Sequence, residues 1–313
     1  MFQPHYFHAK DGLRLYGRAY GFGAERRAGM PIVCLPGLTR NSRDFHGLAT
    51  FLASPAGGGH PVVTLDYRGR GQSERDNDNG RYTIAAEAAD VITACAYFGI
   101  DKAIFIGTSR GGLILHHLIV SAPALVARVV LNDIGPVVEI EGLLRIRDYL
   151  NAASGPESWA EAPMFLQRLH GEDFPLLREQ DWRDMAEAIY RDEDGLPIAD
   201  FDPAITAQLK GLTADTALPE LWPQFDAFHD LPMMVVRGEH SKLLSEATVQ
   251  EMSRRHPDLV AVTARGQGHA PHLHLGGARS AHSRVCCGLI ATTARIHPGK
   301  ATNSGGKKLG AVD

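Results

Sequence analysis

Apolar residues in the first half of the chain form short continuous runs, and segments with helical spacing separate these runs. The runs do not alternate with polar residues, which is typical of strands buried on both faces. Buried strands that alternate with helices predict an α/β fold, in which helices cover both faces of a mostly parallel sheet. The predicted strands lie within residues 31–37, 60–71, 102–107 and 127–136, and the predicted helices lie within residues 44–54, 83–99 and 111–123.

The hydrophobic pattern is different before residue 31 and after residue 136. The first 20 residues predict a β-hairpin that turns at Asp11-Gly12. Residues 137–230 contain amphipathic segments with apolar residues three and four apart, and no convincing buried strand. This indicates a helical module inserted into the sheet domain. Its helices are predicted within residues 140–153, 158–171 and 179–192, and strands return within residues 231–245 and 262–273.

The predicted organisation is therefore a sheet domain with an inserted helical cap and a tail. The basic, unpatterned C-terminus indicates disorder. The sheet domain comprises residues 1–136 and 231–290, the cap residues 137–230 and the disordered tail residues 291–313.

Composition narrows the class of protein further. The 313 residues are 44% hydrophobic and 22% charged, as in soluble globular proteins, and the net charge of −4 argues against binding to nucleic acid or to an anionic membrane. We find no signal peptide and no apolar run long enough to span a membrane. The cysteines do not form a disulfide framework, so we expect a cytoplasmic protein; they are Cys34, Cys95, Cys286 and Cys287.

Ser109 is the strongest candidate for a catalytic residue. It lies between a predicted strand and a predicted helix, in the sequence Gly107-Thr108-Ser109-Arg110-Gly111. This matches the G-x-S-x-G nucleophile elbow, in which a sharp turn exposes the serine hydroxyl and glycines on both sides avoid collisions with the backbone. The alternative is a glycine-rich turn that carries an inert serine, but the flanking strand and helix favour the elbow.

A serine nucleophile needs a base, and His269 is the candidate for it. It follows the last predicted strand, in the sequence GQGHAP, where small residues leave space around the ring. His272 and His274 are close in sequence, so the three histidines form an alternative candidate metal site. We favour the base, because no cysteine or acidic cluster accompanies the histidines. No metal or cofactor is expected.

Two backbone N–H groups are candidates for an oxyanion hole. One belongs to Arg110, the residue after the nucleophile, and the other to Leu38, in the turn LPGLTRN after the first buried strand. An ordinary Pro-Gly turn is the alternative at Leu38. The Arg110 side chain is a candidate to contact an acidic group of the substrate or of the cap, and packing against a helix is the alternative.

Taken together, these motifs resemble the α/β-hydrolase superfamily, in its esterase-like branch that carries a cap. The segments that carry the resemblance cover about residues 5–275, in the order usual for the superfamily: CLPGLTRN, LDYRGRGQS, IGTSRGG, LNDIGP, VVRGEHSKLLS and GQGHAP. The resemblance implies Ser109 as nucleophile, His269 as base, the N–H groups of Leu38 and Arg110 as oxyanion donors and residues 137–230 as a cap that shapes the substrate pocket.

The acid of the expected catalytic triad departs from the family pattern. Relatives commonly carry an aspartate in the loop after the penultimate strand, where this chain has Lys242. A lysine cannot accept the imidazole N–H. Two carboxylates are substitutes: Asp133, which ends the strand after the nucleophile helix as in some relatives, and Glu239, three residues before Lys242. We favour Asp133.

The leading functional prediction is a serine hydrolase that cleaves a small carboxylic ester through an acyl-enzyme, without a cofactor. A lactonase or a carbon–carbon bond hydrolase with the same residues is an alternative, since the fold does not separate these reactions. Lys242 supports a further alternative, a non-catalytic protein that binds a small molecule. Oligomeric state is not readable from the sequence. Aromatic residues of the cap are candidates for the pocket wall, with the protein core as the alternative: Phe165, Phe174, Trp182, Tyr190 and Trp222.

Overall fold

Strands and helices alternate along most of the chain. The computed structural model describes residues 1–23, 29–151 and 155–273. The strands are β1 (Phe2–His8), β2 (Arg14–Tyr20), β3 (Ile32–Leu35), β4 (Val62–Asp66), β5 (Ala103–Thr108), β6 (Val126–Asn132), β7 (Tyr190–Glu193), β8 (Leu196–Ala199), β9 (Met233–Gly238) and β10 (Val260–Ala264). The α-helices are α1 (His46–Ala53), α2 (Ile84–Tyr97), α3 (Arg110–Ser121), α4 (Ile140–Asn151), α5 (Ala162–His170), α6 (Glu179–Ile189), α7 (Trp222–Asp226) and α8 (Glu246–Arg255).

Several predictions concern residues that the structure does not describe. The tail at residues 291–313, the last part of the predicted core at residues 274–290, and His274, Cys286 and Cys287 all lie outside the described residues.

Eight strands within the described residues form one sheet, in the order β1-β2-β4-β3-β5-β6-β9-β10. The hairpin β1–β2 is antiparallel, and β2 pairs antiparallel with β4. All other neighbours in the sheet run parallel. The predicted α/β class with a mostly parallel sheet is therefore confirmed, and so is the hairpin at the start of the chain.

Helices cover both faces of the sheet because the buried strands are apolar on both sides. In β3, Val33 and Leu35 join one core cluster, which includes residues of α2 and α3. Ile32 and Cys34 point to the opposite face and join a second cluster with α1. Each Leu or Ile side chain buried in this way contributes about 1.5–3 kcal/mol to stability relative to an exposed one.

The parallel strands bring the candidate residues to one edge of the sheet. Since β4, β3, β5, β6, β9 and β10 run in the same direction, their carboxyl ends lie side by side. Ser109 follows β5, Asp133 follows β6 and the loop with His269 follows β10. Ligands bind at this edge in open α/β sheets, so the topology assembles a site from residues up to 160 positions apart.

The segment between β6 and β9, residues 137–230, is here called the inserted segment. It contains α4, α5, α6 and α7, and α5 and α6 enclose an apolar cluster of their own, which includes Leu166, Phe174, Trp182 and Met185. The three predicted helices are present. The segment is joined to the loop after β4, where Arg70 forms an isolated β-bridge with Phe201 and the Gly71 N–H donates to the Asp200 carbonyl.

Besides the five-residue helix α7, which the hydrophobic pattern does not predict, two features differ from the prediction. The first is the hairpin β7–β8, because residues 190–192 were assigned to the third helix of the inserted segment. It turns at Asp194-Gly195, where both residues have positive φ (53° and 81°), and this dipeptide is a strong hairpin signal. The second is α8, which was not predicted because most of its residues are polar and it buries little besides Met252.

Candidate active site

Ser109 lies in the sharp turn between β5 and α3. Its φ of 51° is in the left-handed region, which is unusual for a residue other than glycine and turns the side chain out of the sheet. A Cβ at Gly107 would lie 2.7 Å from the Gly111 backbone, and a Cβ at Gly111 would lie 2.2 Å from the Leu35 carbonyl oxygen. The glycines are required at both positions for the physical reason that the motif predicts.

His269 contacts both Ser109 and Asp133. Its Nε2 lies 2.9 Å from the Ser109 Oγ, and its Nδ1 lies 2.8 Å from the Asp133 Oδ2. An ionised carboxylate only accepts hydrogen bonds, so Nδ1 carries the proton and Nε2 accepts from the serine hydroxyl. The structure therefore brings three of the predicted residues into one hydrogen-bonded chain.

Asp133 is held in place by its backbone and by three donors. Its φ of 54° lies in the left-handed region, directly after β6, and its side chain is fully buried. The Gly238 N–H donates to Oδ1 at 2.8 Å, and the Ser241 hydroxyl donates to Oδ2 at 2.6 Å, beside His269. A buried charge is tolerated where such donors surround it. Ser241 was not singled out from the sequence, although it lies next to Lys242.

Glu239 and Lys242 both lie in the loop after β9, and they have different partners. The Glu239 carboxylate accepts from the Gly266 N–H at 2.6 Å and joins this loop to the turn after β10. Of the two candidates for the acid, Asp133 and Glu239, Asp133 is the one hydrogen-bonded to His269. Lys242 is half exposed, and its Nζ lies 3.6 Å from a carboxylate oxygen of Glu141 at the start of α4.

The N–H groups of Leu38 and Arg110 are available to an incoming ligand. Neither donates to a protein acceptor in the part of the chain that the structure describes. Arg110 is the first residue of α3, where an N–H has no partner within the helix and the helix dipole favours negative charge. Leu38 lies in the turn after β3 and lines the same pocket as Ser109 and His269.

The Arg110 side chain points away from this pocket. It is buried, and its Nε lies 2.6 Å from a carboxylate oxygen of Glu87 in α2. Its Nη1 lies 3.3 Å from the amide oxygen of Gln208 in the inserted segment. The expectation that this side chain meets an acidic group of a substrate or of the cap is wrong, because its carboxylate partner belongs to α2.

Asn132 supports the loop that carries His269. Its amide nitrogen donates to the Pro271 carbonyl at 2.9 Å and to the Thr108 hydroxyl at 3.1 Å. It therefore connects the residue before Ser109 with a residue two positions after His269. Sequence reasoning did not identify this role, since the contact spans 139 positions.

The pocket above Ser109 has walls from the sheet domain and from the inserted segment. Those from the inserted segment are Ile146, Tyr149, His170, Phe174 and Met185. Of the aromatic candidates for the wall, Phe174 lines this pocket. The others belong to apolar packing: Phe165, Trp182 and Tyr190 in the cluster of the inserted segment, and Trp222 against the main core.

Burial, together with nearby positive charges, favours the neutral form of His170. Burial lowers its pKa to about 4, and the positive charges of Arg40 and Arg145 contribute in the same direction. Arg40 lines the pocket. Its Nε and Nη2 donate to the Asp44 carboxylate at 2.7 and 2.6 Å. Its Nη1 has no hydrogen-bond partner among the described residues and remains available to a bound acid.

The alternative of a metal site gains no support within residues 1–23, 29–151 and 155–273. No three His, Cys, Asp or Glu side chains there are grouped as metal ligands would be. His274, the third histidine of the proposed cluster, lies outside these ranges.

In the same part of the chain, every helix is too short or too polar to cross a membrane.

Known proteins resemble this chain in both sequence and fold. Residues 32–277 match the model of the alpha/beta hydrolase family. A 3-hydroxybutyrate-oligomer hydrolase from Cupriavidus necator is 32% identical over 247 residues, which are 77% of this chain and 82% of that protein. A 2-(acetamidomethylene)succinate hydrolase from Mesorhizobium japonicum is 28% identical over 249 residues, or 78% and 83% of the two chains. The crystal structure of an alpha/beta hydrolase from Novosphingobium aromaticivorans superposes with a TM-score of 0.81 at 36% identity, covering 91% of this chain and 98% of that one.

Proposed function

The chain belongs to the alpha/beta hydrolase family, and from this membership we propose that it is a serine hydrolase that cleaves a small carboxylic ester. The observation that carries the proposal is the continuous hydrogen-bonded chain from Ser109 through His269 to Asp133. It lies beside two N–H groups that have no acceptor among the described residues, in a pocket at the carboxyl edge of the sheet. The names of the relatives support hydrolysis, and the hydrogen-bonded serine, histidine and aspartate support acyl transfer, of which ester cleavage is one case.

In the proposed reaction, the Ser109 Oγ attacks the ester carbonyl carbon while the His269 Nε2 takes the hydroxyl proton. Asp133 holds the imidazole in the correct tautomer and stabilises the imidazolium. The N–H groups of Leu38 and Arg110 stabilise the oxyanion of the tetrahedral intermediate. His269 then protonates the leaving alcohol, and a water molecule hydrolyses the acyl-enzyme by the same steps.

The inserted segment acts in this proposal as a cap that shapes the pocket. Tyr149, His170 and Phe174 form a wall opposite the sheet, so differences in this segment would select among substrates. Among esters, short oligomers of a hydroxy acid fit the name of the relative from Cupriavidus necator. The Nη1 of Arg40, which has no hydrogen-bond partner among the described residues, would bind the terminal carboxylate of such an oligomer.

Hydrolysis of p-nitrophenyl acetate and butyrate by the purified chain tests the proposal. We expect turnover by the wild type, none above background by Ser109→Ala, and unchanged turnover by Ser121→Ala at the exposed end of the same helix. A fluorophosphonate probe separates an enzyme from a binding protein, because it labels an activated serine. A wild type that neither turns over esters nor takes the label at Ser109 would support the non-catalytic alternative.

The substrate class is tested by comparing the linear 3-hydroxybutyrate dimer with its methyl ester, which lacks the carboxylate. Replacing Arg40 by Met should lower kcat/KM for the dimer about tenfold, which corresponds to one hydrogen bond to a charged group, and leave the methyl ester unaffected. Arg43→Met is the matched control, because Arg43 is paired with Asp200 and does not line the pocket with Ser109. Equal losses of kcat/KM for the dimer and for its methyl ester would refute the proposed role of Arg40.

A further inference from the structure

Two arginines from different parts of the fold share one buried glutamate. The Nη1 of Arg70, in the loop after β4, lies 2.8 Å from Oε1 of Glu87 in α2. The Nε of Arg110, at the start of α3, lies 2.6 Å from Oε2 of the same carboxylate. The side chains of Arg70 and Glu87 are fully buried, and that of Arg110 is 7% exposed. These three residues are here called the Arg–Glu–Arg cluster.

Each arginine of the cluster is connected to one of the two proposed oxyanion donors. The Nε of Arg70 donates to the carbonyl oxygen of Leu38 at 2.9 Å, and the N–H of Leu38 is the first donor. Arg110 itself carries the second donor. Because only φ and ψ separate the carbonyl and the amide of one residue, holding the Leu38 carbonyl restricts the direction of its N–H.

Stability alone does not account for the Arg–Glu–Arg cluster. The cost of removing charges from water offsets much of the attraction in a buried ion pair, and apolar side chains of similar size often serve as well. Such a cluster does, however, fix geometry, since guanidinium and carboxylate groups bond in only a few orientations. Fixed geometry matters most where donors must face a developing negative charge.

We propose that Glu87 is a positioning residue, which holds Arg70 and Arg110 so that the N–H groups of Leu38 and Arg110 point at one oxyanion. This inference rests on the proposed function. Without the Glu87 charge, Arg70 is free to release the Leu38 carbonyl, and the turn after β3 changes direction. The transition state then loses part of its stabilisation, while the ground-state pocket keeps its shape.

The chain contains a matched control for this proposal. Arg68, two residues before Arg70, pairs with Asp90, one turn after Glu87 in α2, at 2.8 and 2.7 Å. Arg68 and Asp90 are also buried, and the other carboxylates bound to Arg68 are those of Asp11 and Asp76. Neither Arg68 nor Asp90 has a hydrogen bond to Leu38 or Arg110 among the described residues. The Arg68 carbonyl oxygen accepts from the Arg70 Nη1 at 2.7 Å, and a side-chain substitution at Arg68 or Asp90 keeps this backbone group. Breaking the Arg68–Asp90 pair therefore damages the same helix and loop without removing a side chain of the Arg–Glu–Arg cluster.

The experiment compares Glu87→Gln with Asp90→Asn in steady-state hydrolysis of p-nitrophenyl butyrate, with wild type and Ser109→Ala in the same series. We expect Glu87→Gln to lower kcat by about 10- to 100-fold, a part of the loss seen when one oxyanion donor is deleted, with KM within about threefold. Affinity for an alkyl boronic acid, which forms a tetrahedral adduct with the serine, should fall with kcat. Asp90→Asn should keep kcat within about twofold although its melting temperature falls.

Equal kcat for the two variants would overturn the positioning role, and so would a loss in Glu87→Gln that appears only in KM. If Glu87→Gln does not fold, Arg70→Lys and Arg68→Lys form the second pair. A lysine keeps the charge but lacks the fork that reaches both Glu87 and Leu38, so kcat should fall for Arg70→Lys alone. A wild type without turnover would overturn the proposed function and this inference with it, whereas an active wild type with equal variants overturns the inference only.

Discussion

Replacing Asp133 by Asn tests the proposed acid, because an amide cannot satisfy the hydrogen bonds at this position. The carboxylate accepts from the Gly238 N–H at Oδ1 and from Ser241 and His269 at Oδ2. An asparagine whose oxygen faces the Gly238 N–H turns its NH₂ group toward His269. The Nδ1 of His269 must then accept, so Nε2 carries the proton and can no longer take one from Ser109.

The expected loss of kcat in Asp133→Asn is large. An Asp→Asn change that leaves the geometry intact but selects the wrong tautomer lowers kcat by about 10⁴ in a serine protease, equivalent to about 5 kcal/mol of transition-state stabilisation. We expect a similar fall in kcat for p-nitrophenyl butyrate, with KM little changed. Circular dichroism and thermal unfolding of Asp133→Asn check that the fold is retained.

Lys242, which stands where the family resemblance implies an acid, provides the control. Lys242 is half exposed and lies 3.6 Å from Glu141, so Lys242→Asp should change kcat less than about threefold, as is usual for a surface substitution. Two results would refute this reasoning. One is an Asp133→Asn variant that keeps more than about a tenth of the wild-type kcat, and the other is a Lys242→Asp variant that is much faster than the wild type.

Three further predictions follow from single side chains. Glu239→Gln should keep kcat within about twofold, because Glu239 accepts from a backbone N–H and not from His269; a loss near that of Asp133→Asn would contradict this. Burial lowers the pKa of His116 to about 4, so the unfolded chain takes up a proton near pH 6.5 before the folded one does; in urea unfolding, the loss of unfolding free energy from pH 7.5 to 5 should be about 2 kcal/mol smaller for His116→Leu than for the wild type. Gly111→Ala should destabilise the fold by about 1–3 kcal/mol in the same assay, since its Cβ would lie 2.2 Å from the Leu35 carbonyl, whereas Gly155→Ala, with open space, should be neutral.

The turn around Ser109 is the part of the site that the sequence predicts best. All its determinants are local: an apolar strand, a glycine at each required position and an amphipathic helix. The clash distances at Gly107 and Gly111 confirm the steric reason for those glycines. Buried parallel strands are equally readable, because their uniform apolar runs reflect contacts on both faces and need no knowledge of partners.

The environment of Asp133 is less readable because its contacts are distant in sequence. Gly238, Ser241 and His269 lie 105 to 136 positions away, so no local pattern distinguishes Asp133 from Glu239. Topology decides between them. β6 and β9 are neighbours in the sheet, which brings the residue after β6 against the end of β9, while Glu239 turns toward the end of β10.

A signal for the Arg–Glu–Arg cluster was present in the sequence, in the form of a charge where the helical pattern demands an apolar residue. In α2, Glu87 shares a face with Val91 and Ala94, at spacings of four and three, and all three are buried. A glutamate on that face must find a cation inside the protein, since an unpaired buried carboxylate is very costly. Arg68 and Arg70 follow the end of β4 and Arg110 follows the end of β5, and the structure pairs Glu87 with Arg70 and Arg110. Glycine-rich turns place both at the carboxyl edge of the sheet. A charge that breaks the apolar pattern of a helix therefore indicates a buried ion pair, and Asp90 of the same helix, which pairs with Arg68, shows that topology decides which of these pairs lies beside the site.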